Sequence, residues 1–386
     1  MILGIDASRN RSWGAVNHII GILTNFNPEK HNIETMHLWS YPELLDMIPE
    51  YPWLKKHTSE FLQQNLFLQL FWQRYFLPKE AKSFGCDLMF DSDSGSISAF
   101  KPYVTLSQDL LTFEDNSLSF YKFGMNKLRL IALYFVQLAS FRNADGVIFL
   151  TEYSRKKIIK HSGQLSNTKI IAHGIDSNFD IPTNLKSKLK STKIRCNYVS
   201  PFHEYKNHKQ VIEAIEILSK KGYDIVLDLV GDNNTNYGKS IKKWFNKSAI
   251  NPDLINFVGN IEHKKLASYL SNTDICIFAS SVETISITLM EYMKMGLPIA
   301  CSDEGPMPEV LQNGGVYFNP KNPNSIAQSL ETIIENNPLR LKISKRAKEL
   351  SAQFSWSRCS YETFSYIESV LAQIGKNIDE YSIKKY

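Results

Sequence analysis

Seven residues separate Glu283 from Glu291, and the stretch around them holds the clearest chemistry in the 386-residue chain. Ile275 to Ala279 is a short apolar run, as a parallel strand buried on both faces requires. It ends in the polar pair Ser280-Ser281. Ile287 to Met295 then reads as a helix, N-capped by Ser286, closed by Gly296 and stopped by Pro298. Glu283 therefore sits in the loop at a strand's carboxyl end, where open α/β sheets bind ligands. The helix behind it presents free N–H groups to an anion. Ile287, Met290 and Glu291 share one helix face, so Glu291 points among apolar neighbours and needs a partner. The two acids flank a phosphate-sized site. A solvated loop acid and a buried salt-bridge partner remain the alternative reading of the pair.

A second feature lies nearer the middle of the chain. Arg195 to Ser200 reads as a strand, followed by Pro201, a polar turn and a helix to about Lys221. Lys206 and Lys209 at that helix start oppose the macrodipole unless something negative sits there, and a diphosphate would resolve the conflict. Taken alone, Lys206 reads equally well as a surface lysine. Asp224 to Val230 and Ile255 to Gly259 are further buried strands, and glycines at their ends, Gly231 above all, admit a base or ribose closely.

From Ser281 to Ile299 the sequence, with its trailing Gly-Leu-Pro, resembles the E-x7-E segment of retaining glycosyltransferases of family four, the glycosyl transferases group 1. The resemblance implies an α/β protein of the GT-B type, with two Rossmann-like domains facing across a cleft and a nucleotide-sugar donor. It places Glu283 by the donor sugar, Glu291 on the ribose, the amides of Thr284 to Ile287 and Lys206 on the diphosphate, and Gly231 in the donor site. Gly14 matches the family's glycine-rich loop, which is expected here between Ala7 and Val16. Several positions depart from the pattern. Thr284 and Ser286 stand where glycines are usual, Trp13 where a second loop glycine is common, and Pro201 where an arginine is usual. Gln108-Asp109 replaces the family's His-Asp, so Gln108 offers polar contact but no proton exchange near neutral pH. Arg9 is a candidate for phosphate or acceptor, or simply a solvated loop cation.

The resemblance further implies that no protein nucleophile, cofactor or metal is needed, because the leaving diphosphate can take the acceptor's proton. Asp91-Ser92-Asp93 has the D-x-D form of metal-dependent glycosyltransferases of another fold, and reads better as turn-forming acids after a strand. The expected reaction is sugar transfer to a glycan or lipid-linked acceptor in bacterial surface polysaccharide synthesis, lipopolysaccharide O-antigen or capsule. A non-catalytic nucleotide or glycan binder and a nucleotide-sugar epimerase are the alternatives.

Length suits two domains: 1–180 on the acceptor side and 190–355 for the nucleotide sugar, with a helix of about 356–386 packing back on the first. The polar stretch from Ser177 to Ser191 makes the best linker. Hydrophobic residues at 43% and charged residues at 22% are those of a soluble globular protein. No apolar run reaches bilayer length, and Met1 to Asp6 reads as a first strand rather than a leader. Five scattered cysteines read as reduced thiols in a cytoplasmic protein, without zinc-ligand spacing. A net charge of +5 suits a phosphorylated substrate or an anionic membrane surface as a further candidate partner, and no nucleic acid is expected. Arg155, Lys156, Lys157 and Lys160 would face that surface, or only solvent. The aromatic stretch from Glu60 to Leu77 reads first as core packing, and second as an aromatic face for an acceptor.

Overall fold

The computed structural model describes residues 1–115, 117, 124–181 and 193–383, except for the side chains of 126 and 377–383. Most of the expected linker, 182–191, lies outside the described residues. The chain forms two compact units, Met1–Gly174 with Ser355–Tyr386, and Ile175–Phe354.

The first unit is built on seven strands: β1 (Ile2–Asp6), β2 (Thr35–Trp39), β3 (Leu54–His57), β4 (Leu88–Asp91), β5 (Tyr103–Leu106), β6 (Gly146–Phe149) and β7 (Thr168–Ile170). They pair in the order β3-β2-β1-β4-β5-β6-β7, and every pairing is parallel. Strand direction is set by helical crossovers, and both faces of the central strands are covered: Leu3, Ile5, Leu88 and Phe90 are fully buried. The order reverses between β1 and β4, which opens a crevice at their carboxyl ends.

The helix after β1 starts earlier than expected. Ser12 caps it, and it runs Trp13–Thr24, so Gly14 falls in its first turn with open space around it rather than in a phosphate-binding loop. At the other end of the sequence the helix Trp356–Ile383 packs back onto this unit. Trp356 lies so close that a Cβ on Gly21 would come within 2.3 Å of its ring, and one on Gly174 within 2.2 Å of its backbone. Only glycine at both positions permits that contact.

Core packing is not what the aromatic stretch does. It forms the helices Leu66–Tyr75 and Leu77–Ser83, of which Trp72 and Leu77 reach the core. Phe67 is 75% exposed and Tyr75 55%. The reason is geometric: apolar residues occupy the whole circumference of the helix, and the sheet covers only one face. Met125 and Phe135, on the helix Met125–Asn143, are exposed as well. Among the described residues no helix is long and apolar enough to cross a membrane.

The second unit repeats the design with six strands: β8 (Ile194–Val199), β9 (Ile225–Val230), β10 (Ile255–Gly259), β11 (Ile275–Phe278), β12 (Ile299–Ser302) and β13 (Val316–Phe318). Their order is β10-β9-β8-β11-β12-β13, again all parallel. Here the order reverses between β8 and β11. The loops that follow those two strands carry Lys206 and Glu283.

Candidate functional site

Lys206 does not begin a helix, as its sequence context suggested. It closes a short 3-10 turn, Glu204–Lys206, after which Asn207 adopts a left-handed conformation (φ 53°) and the helix runs His208–Lys220. That break is held in place by hydrogen bonds. The Asn207 side chain donates to the Ala279 carbonyl and to Ser281 Oγ, both at 2.8 Å. Ser281 N–H donates to the Tyr205 carbonyl and the Tyr198 hydroxyl to the Lys206 carbonyl, each at 2.8 Å. The loop after β8 is thereby riveted to the loop after β11.

Its consequence is a direct ion pair between Lys206 Nζ and Glu283 Oε1, with the two side chains only 10% and 14% exposed. The rings of Tyr205 and Phe278 flank the ammonium at 5.4 and 6.0 Å. Glu283 thus answers the Lys206 charge. The neighbouring cation Lys209 lies in the first turn of the following helix, 3.6 Å from Glu213. Pro201 follows β8 on the surface, where it offers no cation.

Val282, Thr284, Ile285 and Ser286 are all buried, so the loop between the acids is a packed segment. Ser286 caps the helix Ile287–Met295 by accepting from Leu289 N–H at 3.2 Å, and Gly296 ends it in a left-handed conformation. The other first-turn amides of that helix have no carbonyl partner within it, as at any helix start.

Glu291 is buried, 2% exposed, and one of its oxygens meets His263 Nε2 at 2.6 Å. His263 is the first residue of the helix His263–Leu270, and Phe179 packs against its ring at 5.3 Å. Burial pushes the Glu291 carboxyl above its ordinary range, although the His263 hydrogen bond opposes this. Burial also works against a charge on His263, but the Glu291 hydrogen bond and carboxylate outweigh it and raise the imidazole. The need for a partner at Glu291 was legible in the helix pattern. Its identity, 28 residues upstream, was not.

Gly231 ends β9 with φ 143°, and a Cβ there would lie 2.1 Å from the Ser200 carbonyl oxygen. The space its missing side chain leaves is taken by the backbone after β8, which draws the two loops together.

The remaining candidates lie in the first unit. Arg9 is neither solvated nor open: its guanidinium donates to the Gly95 carbonyl and stands beside Asp93. Gln108 lies two residues past β5, its N–H donating to the Leu106 carbonyl at 3.1 Å, and Asp109 accepts from Leu111 N–H at 2.9 Å to start a short turn. Asp91 is buried next to Asp6; burial first, and then the Asp6 charge, hold it well above the carboxylate range. Burial raises Asp93 as well, against the pull of Arg9. The D-x-D therefore closes a packed loop at the β1–β4 crevice. Arg155 pairs with Glu152 at 2.7 Å, and Lys157 with Asp115 at 2.9 Å and Glu114 at 3.1 Å, so much of the expected basic face is neutralised.

Residues 180–350 match the family described as Glycosyl transferases group 1. An uncharacterized glycosyltransferase of Methanocaldococcus jannaschii is 27% identical over 148 residues, 36% of this chain and 42% of that protein. The serotype-specific mannosyltransferase WbdA of Escherichia coli is 26% identical over 170 residues, 40% of this chain and 21% of that protein. The matches thus span less than half the length of these curated relatives. The structure of Anabaena HepE in complex with UDP-glucose aligns with 96% of this chain and 99% of its own, with a TM-score of 0.71 at 18% identity. That likeness makes the fold GT-B, two Rossmann-like domains, and it is residues 180–350 that are similar to the glycosyl transferases group 1.

Proposed function

We propose that the protein is a retaining hexosyltransferase that takes a sugar from a nucleoside-diphosphate donor and delivers it to a glycan or lipid-linked acceptor of a bacterial surface polysaccharide. The observation that carries this reading is the Lys206–Glu283 pair held at the carboxyl ends of β8 and β11, where the strand order reverses. A diphosphate arriving there would take Lys206 from Glu283, and the freed carboxylate would turn to the hydroxyls of the donor sugar. The bond between the anomeric carbon and the diphosphate oxygen breaks, and the acceptor oxygen bonds to that carbon on the same face. The departing diphosphate takes the acceptor's proton. Lys206 and the amides of the loop from Thr284 to Ile287 stabilise the charge that develops on it. Glu291, aligned by His263, would hold the ribose. No metal ion takes part in this step: an ammonium and a helix start supply the positive charge.

UDP-glucose in the structurally similar HepE supports a nucleotide-sugar donor. A lipid-linked acceptor is supported by a cavity of about 740 Å³ in the first unit, lined by Arg74, Phe100, Lys101 and Phe135, near the exposed aromatic helix. Cations beside apolar walls suit a phosphate-bearing lipid, and the protein would then work at the cytoplasmic face of the membrane.

The test is a donor panel of UDP-, GDP- and ADP-sugars, screened by thermal shift and then assayed for transfer, with product configuration read by NMR. One donor class should raise the melting temperature and yield a product of unchanged anomeric configuration, with EDTA present. A donor that binds but is neither transferred nor hydrolysed would leave a binder, not an enzyme. Loss of transfer in EDTA with rescue by Mn²⁺ or Mg²⁺ would refute the metal-free step.

A further inference from the structure

Three side chains far apart in sequence meet inside the first unit. His18 lies on the helix Trp13–Thr24, His173 follows β7, and Cys359 is in the first turn of the helix Trp356–Ile383. One donor atom from each, two imidazole nitrogens and a thiol sulfur, lies within 4.8 Å of the others. All three residues are buried, at 2%, 3% and 0% exposure. Among the described residues no other trio of histidine, cysteine or carboxylate ligands comes together in this way.

The two histidines are not ordinary core residues. Their rings are 4.8 Å apart, and Nδ1 of each is buried without a hydrogen-bond partner. A packed interior rarely leaves two such nitrogens unanswered beside each other. Trp356, wedged against Gly21 and Gly174, sets its ring 6.3 Å from that of His18 and 5.8 Å from that of His173.

We propose that His18, His173 and Cys359 form a buried site for a borderline-soft divalent cation of the zinc class, which clasps the C-terminal helix to the body of the first unit. Two imidazoles and a thiolate select zinc over the hard cations, which prefer oxygen ligands. Tetrahedral zinc, with bonds of about 2.0–2.3 Å, would hold the three donors about 3.3–3.6 Å apart, a closure that side-chain rotation can supply. A water or a fourth donor completes the tetrahedron. Binding exchanges one proton for the metal: the Cys359 thiol loses its hydrogen to solvent as the sulfur–metal bond forms, and nothing is oxidised or reduced. The role is structural, and it is separate from sugar transfer, whose proposed residues lie in the second unit.

The test begins with the intact chain, purified without chelator and analysed for zinc, expected at one equivalent. The metal-depleted chain is then titrated with Co²⁺, which should give tetrahedral ligand-field bands and a thiolate-to-cobalt absorption that saturate at one equivalent. Zn²⁺ should raise the melting temperature, and Mg²⁺ should not. Cys359→Ser should abolish the thiolate absorption and the Zn²⁺-induced shift, and His18→Gln should weaken Co²⁺ binding at least tenfold. Should either variant fail to fold, the cobalt spectrum of the unaltered chain decides. No thiolate absorption in that chain, or a Zn²⁺ shift that survives Cys359→Ser unchanged, would overturn the proposal.

Discussion

Exchanging Glu283 for glutamine and Lys206 for methionine should move nucleoside-diphosphate affinity in opposite directions. The two charges face each other, with 10% and 14% of their side chains exposed. Lys206→Met removes a charged hydrogen bond to the diphosphate, worth about 1.5–3 kcal/mol, which corresponds to a dissociation constant some 10- to 150-fold larger. It also leaves the Glu283 carboxylate largely buried and without its Lys206 partner. A fully buried pair broken in this way costs about 3–5 kcal/mol, but Glu283 retains contact with water, so about 2 kcal/mol of stability is the expected loss. Glu283→Gln keeps the shape of the side chain and removes its charge. Lys206 is then no longer neutralised, and the repulsion between carboxylate and diphosphate disappears. At about 6 Å and an effective dielectric near 20, that repulsion is of order 1–3 kcal/mol. UDP or GDP should therefore bind about tenfold more tightly to this variant, while turnover falls by about two orders of magnitude because the donor sugar has lost its orienting group. Calorimetric titration with both nucleotides, at low and high salt, reads the affinities, and initial rates with the matching donor read the turnover. If Glu283→Gln weakens diphosphate binding as much as Lys206→Met does, the pair is a structural rivet and the donor site lies elsewhere.

Other perturbations probe the same frame. Asp91→Asn should flatten the pH dependence of stability. The folded state keeps a proton on Asp91 that the unfolded chain loses near pH ~3.9, so this group's contribution is complete below that pH and declines as pH rises through the raised value. Urea midpoints at about pH 5 and pH 8 should differ less in the variant, and an equal drop would contradict the assignment. The His263–Glu291 pair has the same sign: both groups are raised, so its support is full in mild acid and is lost as pH rises through the folded values. His263→Gln should reduce that loss in melting scans and weaken donor binding. Affinity and scans identical to the parent's would exclude a role for His263 in positioning Glu291. Gly231→Ala, which would drive a Cβ to 2.1 Å from the Ser200 carbonyl, should cost at least ~2 kcal/mol in denaturant unfolding. A change below ~0.5 kcal/mol would show that the loops after β8 and β9 are not in contact.

Local pattern in the sequence determined the architecture. Apolar runs such as Ile225 to Val230 and Ile275 to Phe278 end in glycine or serine and alternate with amphipathic helices, and a chain of that pattern can bury itself only as parallel, doubly wound sheets. The helix from Ile287 to Met295, its Ser286 cap and its Gly296 stop were equally legible, because capping depends on residues a few positions apart. With them came the spacing of Glu283 and Glu291. What each carboxylate touches was decided by tertiary structure alone. Lys206 lies 77 residues before Glu283, and Asn207, which aims it there, carries no signal of that task in its neighbours. Which loops meet depends on strand order, and strand order is settled by the competition among all the crossovers at once. The same cause hid His263 behind Glu291, and the tie of Arg9 to the Asp93 loop. It also turned the aromatic helix outward: a sequence reports that Phe67 and Tyr75 are apolar, but not that the sheet has already been covered by others. His18, His173 and Cys359 show the limit most plainly, for no spacing links them until the last helix folds back over the first.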